Sequence, residues 1–249
     1  MLVVCNGAIK SGSTWLYNIL THLRPFSVPA DEYLTMKNPR HPCIRPDRMR
    51  EFLKRQDPAS RDYLSKNHID DPELRDFLVG EPEVFVFDIE RDPKDVAVSH
   101  YYHECFRNAY TGSFEEFYWS VGRKVAASLS AYHDLWRDQG PRVYISSYER
   151  LHREFEEEVK RIAAVLGESI NSSQARALHE KTSLATLRKD YEKEPRFEGQ
   201  KFFRKGSIGD WQNHFDARML EDIERVTNDG IGKLDFSGLR WRLSSALRR

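Results

Sequence analysis

Hydrophobic positions along the chain follow two rhythms. Continuous apolar runs occur at Leu2-Val3-Val4-Cys5 and at Val84-Phe85-Val86-Phe87-Asp88-Ile89, with a shorter one at Arg142-Val143-Tyr144-Ile145-Ser146. Such runs, lacking polar alternation, predict parallel strands covered on both faces. Between them the spacing turns helical. Leu16, Ile19, Leu20 and Leu23 recur at i, i+3, i+4 and i+7, and Leu151, Phe155, Val159, Ile162 and Leu166 form one stripe ended by Gly167. A brief strand is expected over Tyr63–His68, with short helices over 46–56 and 71–79. Asp92 as N-cap and Pro93 behind it predict a helix running to Arg107. One or two helices follow over 114–138, their inner face carrying Phe114, Phe117 and Tyr118, and another is expected near 216–228. Strands alternating with helices give an α/β fold class, a single domain over 1–249 with a central parallel sheet flanked by helices.

Three stretches keep neither rhythm. Residues 24–45, with Pro25, Pro29, Pro39 and Pro42, read as a long loop of the kind that serves function. Residues 189–210 are polar and punctuated by glycine, more like a lid than a core element. The basic tail 239–249 reads as a terminal element packed on the domain rather than as a membrane anchor.

The sharpest local signal lies where the first strand meets the first helix. Gly7-Ala8-Ile9-Lys10-Ser11-Gly12 is a small-residue turn whose backbone N–H groups, with the positive end of the helix dipole, form a cradle for a phosphate. Gly7 and Gly12 have the four-residue gap of a nucleotide-triphosphate P-loop, but Ser13 stands where that motif needs lysine. Lys10 lies two residues ahead of Gly12 instead. The turn therefore reads as a phosphate site that is not an ATP–Mg site. In a parallel sheet, ligands sit at the carboxyl ends of the strands, and Lys10, His68, Arg91 and Tyr148 all fall there.

Composition narrows the partners. The chain has 249 residues, and lysine plus arginine equal aspartate plus glutamate at 39 each, so no global field favours nucleic acid or membranes. Anion recognition must be local. Cys5, Cys43 and Cys105 are odd in number and widely spaced, which implies a reducing compartment, expected to be the cytoplasm, with no zinc site and no metal. No apolar run reaches the roughly 20 residues that span a bilayer, and the first residues read as a core strand rather than a signal peptide.

Four segments in order carry a resemblance. They are Lys10-Ser11-Gly12-Ser13-Thr14-Trp15; Arg91-Asp92-Pro93-Lys94-Asp95-Val96-Ala97-Val98-Ser99; Tyr148-Glu149; and Phe203-Arg204-Lys205-Gly206-Ser207-Ile208-Gly209-Asp210-Trp211-Gln212-Asn213-His214-Phe215. Together, across about residues 2–221, they resemble the cytosolic-type sulfotransferases, which move a sulfuryl group from 3′-phosphoadenosine 5′-phosphosulfate (PAPS) to an acceptor and leave 3′-phosphoadenosine 5′-phosphate (PAP). The resemblance implies a P-loop NTPase-like architecture and a metal-free reaction. It implies that Lys10, Ser11, Gly12, Ser13 and Thr14 hold the 5′-phosphosulfate, with Lys10 against the bridging oxygen, and that Trp15 packs on the adenine. Arg91 and Ser99 would bind the 3′-phosphate under Arg204, Lys205 and Gly206. Tyr148, Ser183 and Leu184 would lie on the adenine side. Lys66-Asn67-His68 matches the family's Lys-Thr-His, making His68 the base and Lys66 an aid to the transferring oxygens, with His103 as competitor for the base.

This chain also departs from that pattern. Ile9 replaces the proline before the loop lysine, Leu184 stands where an aromatic residue is usual, and Gln212, Asp216 and Ala217 break the spaced dimer motif, of which only Glu221 is kept. A monomer or a non-standard dimer is expected. The acceptor pocket should use loop 24–45, including Phe26 and Tyr33, together with His103 and the 189–203 stretch. The polar and acidic residues there point to a small polar acceptor, its hydroxyl or amine left open. Two other functions compete: a P-loop small-molecule kinase using Asp88 for magnesium, and a nucleotide-binding module without catalysis.

Overall fold

The computed structural model describes residues 1–35, 41–55, 61–107, 109–193 and 204–228. Four strands, β1 (Leu2–Cys5), β2 (Tyr63–Lys66), β3 (Val84–Glu90) and β4 (Val143–Ser147), form one sheet in the order β2-β1-β3-β4, every pairing parallel. All four residues of β1 are buried. Successive side chains point to opposite faces, so Leu2 and Val4 enter one apolar cluster and Val3 and Cys5 the other.

Helices cover both faces. On one, α1 (Ser13–Leu23), α8 (Phe155–Val165) and α9 (Ser172–Thr182) supply Leu16, Ile19, Leu20, Val159, Ile162, Ala175 and Leu178. On the other, α2 (Met49–Arg55), α3 (Pro72–Gly80) and α6 (Arg123–Trp136) supply Phe52, Leu74, Leu78, Leu129, Tyr132 and Trp136. A third cluster joins α4 (Pro93–Phe106), α5 (Phe114–Phe117) and α11 (Ala217–Asn228) through Val98, Phe114, Met219 and Ile223.

Helix starts follow their caps. Asp71 accepts from the backbone N–H of Glu73 and Leu74, and Asp92 from that of Lys94, each followed by a proline with no N–H to satisfy. Ser113 and Glu116 form a capping box, as do Asn171 and Gln174.

Two expectations are corrected. The stripe from Leu151 to Leu166 is two helices, α7 (Tyr148–Arg153) and α8, broken at Glu154 (φ −134°, ψ 41°). Beyond the break, the fully buried Glu158 carboxylate receives Ser146, Arg150 and Arg161. A count of apolar positions is blind to that anchor. The stretch 189–210 is not lid throughout: Lys189–Tyr191 lie within α10 (Leu184–Glu192), started by the Ser183 hydroxyl accepting from Thr186 N–H. Residues 194–203, including Phe203, and the tail 239–249 lie outside the described residues.

Order in the sheet positions the site. From β1 the chain passes through α1 to β2 on one side, then to β3 on the other. The loops after β1 and β3 thus diverge from neighbouring strand ends, the arrangement that opens a ligand crevice. No described helix is long and apolar enough to cross a membrane.

Candidate functional site

The turn after β1 is shaped by backbone angles few residues tolerate. Gly7 has φ 144° and Gly12 φ 103°, and Lys10 itself is left-handed at φ 65°. A Cβ on Gly7 would meet the Ile89 side chain at 2.8 Å, and one on Gly12 would meet the Tyr148 ring at 2.5 Å. Helix α1 starts at Gly12 with no side-chain cap, unlike α3, α4, α9 and α10. Its first N–H groups and dipole are therefore directed at the turn. Ser11 Oγ and Trp15 Nε1 are buried there without a protein partner. Those orphaned groups fit an anionic ligand with further acceptors, as a phosphorylated nucleotide is.

Arg91, just past β3, joins the turn to the late segment. Its guanidinium donates to the Lys10 carbonyl at 3.1 Å and to the Ser207 carbonyl at 3.2 Å, and stacks on the Tyr148 ring with 4.1 Å to the centroid. Its Nε is buried without a partner. Asp95, one turn into α4, accepts from the backbone N–H of Gly209 and Trp211, and so fixes the late segment over the start of α4. Ser99 lies half-buried on the same helix.

Arg204 and Lys205 both pair with the buried Asp210 carboxylate, Lys205 at 2.7 Å, and Arg204 stacks on Tyr102. Burial of Asp210 opposes its charge, but the donors Lys205, Arg204 and Asn213 prevail and hold its pKa well below the usual carboxylate range. Gly206 (φ 64°) lies against Leu184, whose Cδ2 would stand 2.4 Å from a Cβ there. Leu184 thus packs on the clamp backbone, while the Ser183 hydroxyl is engaged in capping α10. Trp15 meets Tyr148 and His152 edge-on, with Phe155 stacked on it at 6.0 Å.

At the end of β2 the exposed ring of His68 meets the Gly7 carbonyl through Nδ1, at 2.5 Å. A carbonyl only accepts, so Nδ1 carries the proton and Nε2 is left with a lone pair. Although solvent reaches the residue, burial of the ring on its bonded side and the charge of Lys66 lower the His68 pKa to about 4. Lys10 is lowered to about 8, by burial first and then by Arg91 and Lys66, with Glu104 opposing. Burial also lowers Lys66. His103 is lowered to about 3 by burial first and then by the charge of Lys10.

Two expected acceptor residues lie apart. Tyr33 is 2% exposed and packs edge-on against Phe52 in the core. Phe26 lines a separate groove of about 250 Å³ with Tyr17, Thr21, Val28, Pro42 and Leu64. A cleft of about 380 Å³ beside the clamp is lined by Asp92, Asp95, Glu149, Arg153 and Trp211 and contains none of the expected residues. Among the described residues no group of three or more His, Cys, Asp or Glu is arranged to hold a metal. Sequence reasoning missed Asn6, Tyr132 and the clasp role of Asp95. Only Asn6 had a local signal, a polar residue at the end of a buried strand.

The sulfotransferase domain model matches residues 3–235, nearly the whole chain. The chain belongs to this family. Among similar sulfotransferases is sulfotransferase 6B1 of Danio rerio, 26% identical over 224 residues, covering 87% of this chain and 74% of that protein. Human sulfotransferase 1E1 is also 26% identical, covering 87% and 79%. Among solved structures, the mouse sulfotransferase SULT7A1 complexed with PAP superposes with a TM-score of 0.69 at 20% identity, covering 96% of this chain and 87% of that one. Retinol dehydratase in a complex with retinol and PAP gives 0.66 at 19%, covering 94% and 82%. At such identities the structural likeness establishes the fold, a parallel α/β sheet of the sulfotransferase type.

Proposed function

We propose that this sulfotransferase-family chain transfers a sulfuryl group from PAPS to a hydroxyl or amine of a small polar acceptor, releasing PAP. The turn 10–14 takes the 5′-phosphosulfate, and Arg91 and Ser99 take the 3′-phosphate beneath Arg204, Lys205 and Gly206. Trp15, Tyr148, Ser183 and Leu184 border the adenine. In the reaction the acceptor heteroatom bonds to sulfur, the sulfur–oxygen bond to the phosphate breaks, and the acceptor proton passes to His68 Nε2. Lys10 offsets the charge left on the phosphate, assisted on the sulfuryl side by Lys66.

The observation that carries this reading is the placement of Arg91. One guanidinium contacts the phosphate turn, the late segment and Tyr148 at once, as a second phosphate site built across distant segments requires. For the base, exposed His68 with its Nδ1 engaged is favoured over half-buried His103. Glu104, near enough to raise the Lys10 pKa, adds negative charge beside the site and suits a polar acceptor.

The test is binding followed by transfer. PAP should protect the chain against thermal unfolding while ATP with magnesium does not, and labelled PAPS should pass its label to a polar acceptor in a screen. Protection by ATP–Mg but not by PAP would favour the kinase reading and overturn this one. PAP binding without transfer to any hydroxyl or amine acceptor would leave a binding module.

A further inference from the structure

A polar network beneath the phosphate turn has no part in the reaction above. Asp88 is a fully buried carboxylate in the middle of the sheet, on β3. Its Oδ1 accepts from Asn6 Nδ2 at 3.0 Å and from the Tyr132 hydroxyl at 3.3 Å, while Oδ2 is buried with no partner. The Tyr132 oxygen in turn accepts the Gly7 N–H at 3.0 Å. Asn6 Oδ1 accepts the N–H of Ile69, the residue after His68, at 2.9 Å. One turn along α6, Trp136 Nε1 donates to the Ile69 carbonyl at 3.0 Å. Two residues on one helix face and one carboxylate thus fix both sides of the contact between Gly7 and His68.

A buried carboxylate is costly to keep unless its bonds are needed. What these bonds fix is the backbone on each side of that contact: the Asn6–Gly7 peptide through its N–H, and Ile69 beside His68. The Gly7 carbonyl belongs to the next peptide, Gly7–Ala8, and from the residue so anchored it meets His68 Nδ1. That contact selects the imidazole tautomer. We propose that Asp88 and Tyr132 are positioning residues that anchor Gly7 by its N–H so that the carbonyl on the far side of the same residue keeps His68 in the Nδ1–H tautomer, leaving Nε2 to accept a proton. The proposal rests on the reading of His68 as the base. A strand residue, a helix residue 44 positions later and a glycine residue stand where the serine-protease triad uses a carboxylate directly on the histidine. Burial and Glu90 raise the Asp88 pKa to about 7. Its acceptor oxygen, more than its charge, therefore orients Tyr132, and an amide can replace it.

The test reads the tautomer itself. In protein labelled with 15N-histidine, the His68 ring signals are assigned by their absence in His68→Gln. At pH 7, wild-type His68 should show the Nδ1–H pattern alone. Tyr132→Phe should show a mixture, with kcat down by about tenfold and acceptor KM changed less than about twofold. Asp88→Asn should keep the wild-type tautomer and most of the turnover. An Nε2–H pattern in the wild-type protein overturns the proposal without any variant. So does an unmixed Nδ1–H pattern in Tyr132→Phe, or a mixed one in Asp88→Asn. A mixture in Tyr132→Phe with unchanged kcat upholds the positioning and removes His68 as the base, so the two readings fail separately.

Discussion

The Arg91 guanidinium lies 4.1 Å above the centre of the Tyr148 ring. Stacking fixes its plane, and the fixed plane sends one nitrogen to the Lys10 carbonyl and another to the Ser207 carbonyl. An ammonium has neither the plane nor the fork. Arg91→Lys should weaken PAP binding by about 10- to 100-fold, the worth of a lost charge-assisted pair. Calorimetric titration with PAP measures it, and an unchanged affinity would remove Arg91 from the phosphate site.

On the proposed mechanism Lys10 and His68 set a pH window. Lys10, at about 8, loses its positive charge as pH rises through that value; His68, at about 4, is neutral and able to accept a proton at every higher pH. The kcat/KM for PAPS, which reports the free enzyme, should be level between about pH 5 and 7 and fall above pH 8. Lys10→Met should abolish the alkaline limb and lower kcat by at least about 100-fold. A fall beginning near pH 6.5 on the acid side would mean that the working base is an unperturbed histidine.

Gly12 has neither the space nor the backbone angle for a side chain, with φ 103° and the Tyr148 ring 2.5 Å from a built Cβ. Gly12→Ala should cost about 1–3 kcal/mol in backbone strain alone, and it also displaces Tyr148 from beneath Arg91. Thermal unfolding should show the loss, together with lost protection by PAP. Gly140 is the control: its φ is also positive, 95°, but no atom lies within 4 Å of its Cβ, so Gly140→Ala should leave PAP protection intact.

Asp210 holds Arg204 and Lys205 in place, and its pKa is depressed from the ordinary 3.8. A group of this kind stabilises the fold fully above its unfolded pKa and loses the effect as pH falls through its lower folded value. Asp210→Asn should therefore lower Tm by roughly 5–10 °C at pH 7, most of it from the better buried Arg204. The gap to wild type should persist down to pH 4 and close only in stronger acid. Scanning calorimetry across that range gives the comparison.

Most of the sheet was legible because parallel strands leave a strong trace: Leu2–Cys5 and Val84–Ile89 have no polar alternation to confuse with a helix. The glycine-shaped turn after β1 was legible for a similar reason, since its glycines and lysine are close together in sequence. What escaped were features that depend on residues far apart. The helix breaks at Glu154, and Glu158 beyond the break meets Ser146 on β4. Tyr132 gave no local signal, and only the fold brings its hydroxyl to Gly7. Tyr33 read as a loop aromatic open to ligand, whereas its ring fills space beside Phe52.

The bond from Arg91 to the Ser207 carbonyl and those that the Gly209 and Trp211 N–H groups donate to Asp95 bear on how the protein is made. Translation delivers all four strands and the phosphate turn by residue 147, but the segment that closes over Arg91 emerges some 60 residues later. If the proposed function holds, a growing chain can assemble its sheet and still lack a complete nucleotide site. Because a ligand stabilises only the form it binds, nucleotide favours the finished molecule and gives nothing to the partial one. Retention of nucleotide is then a check that the last segment has docked.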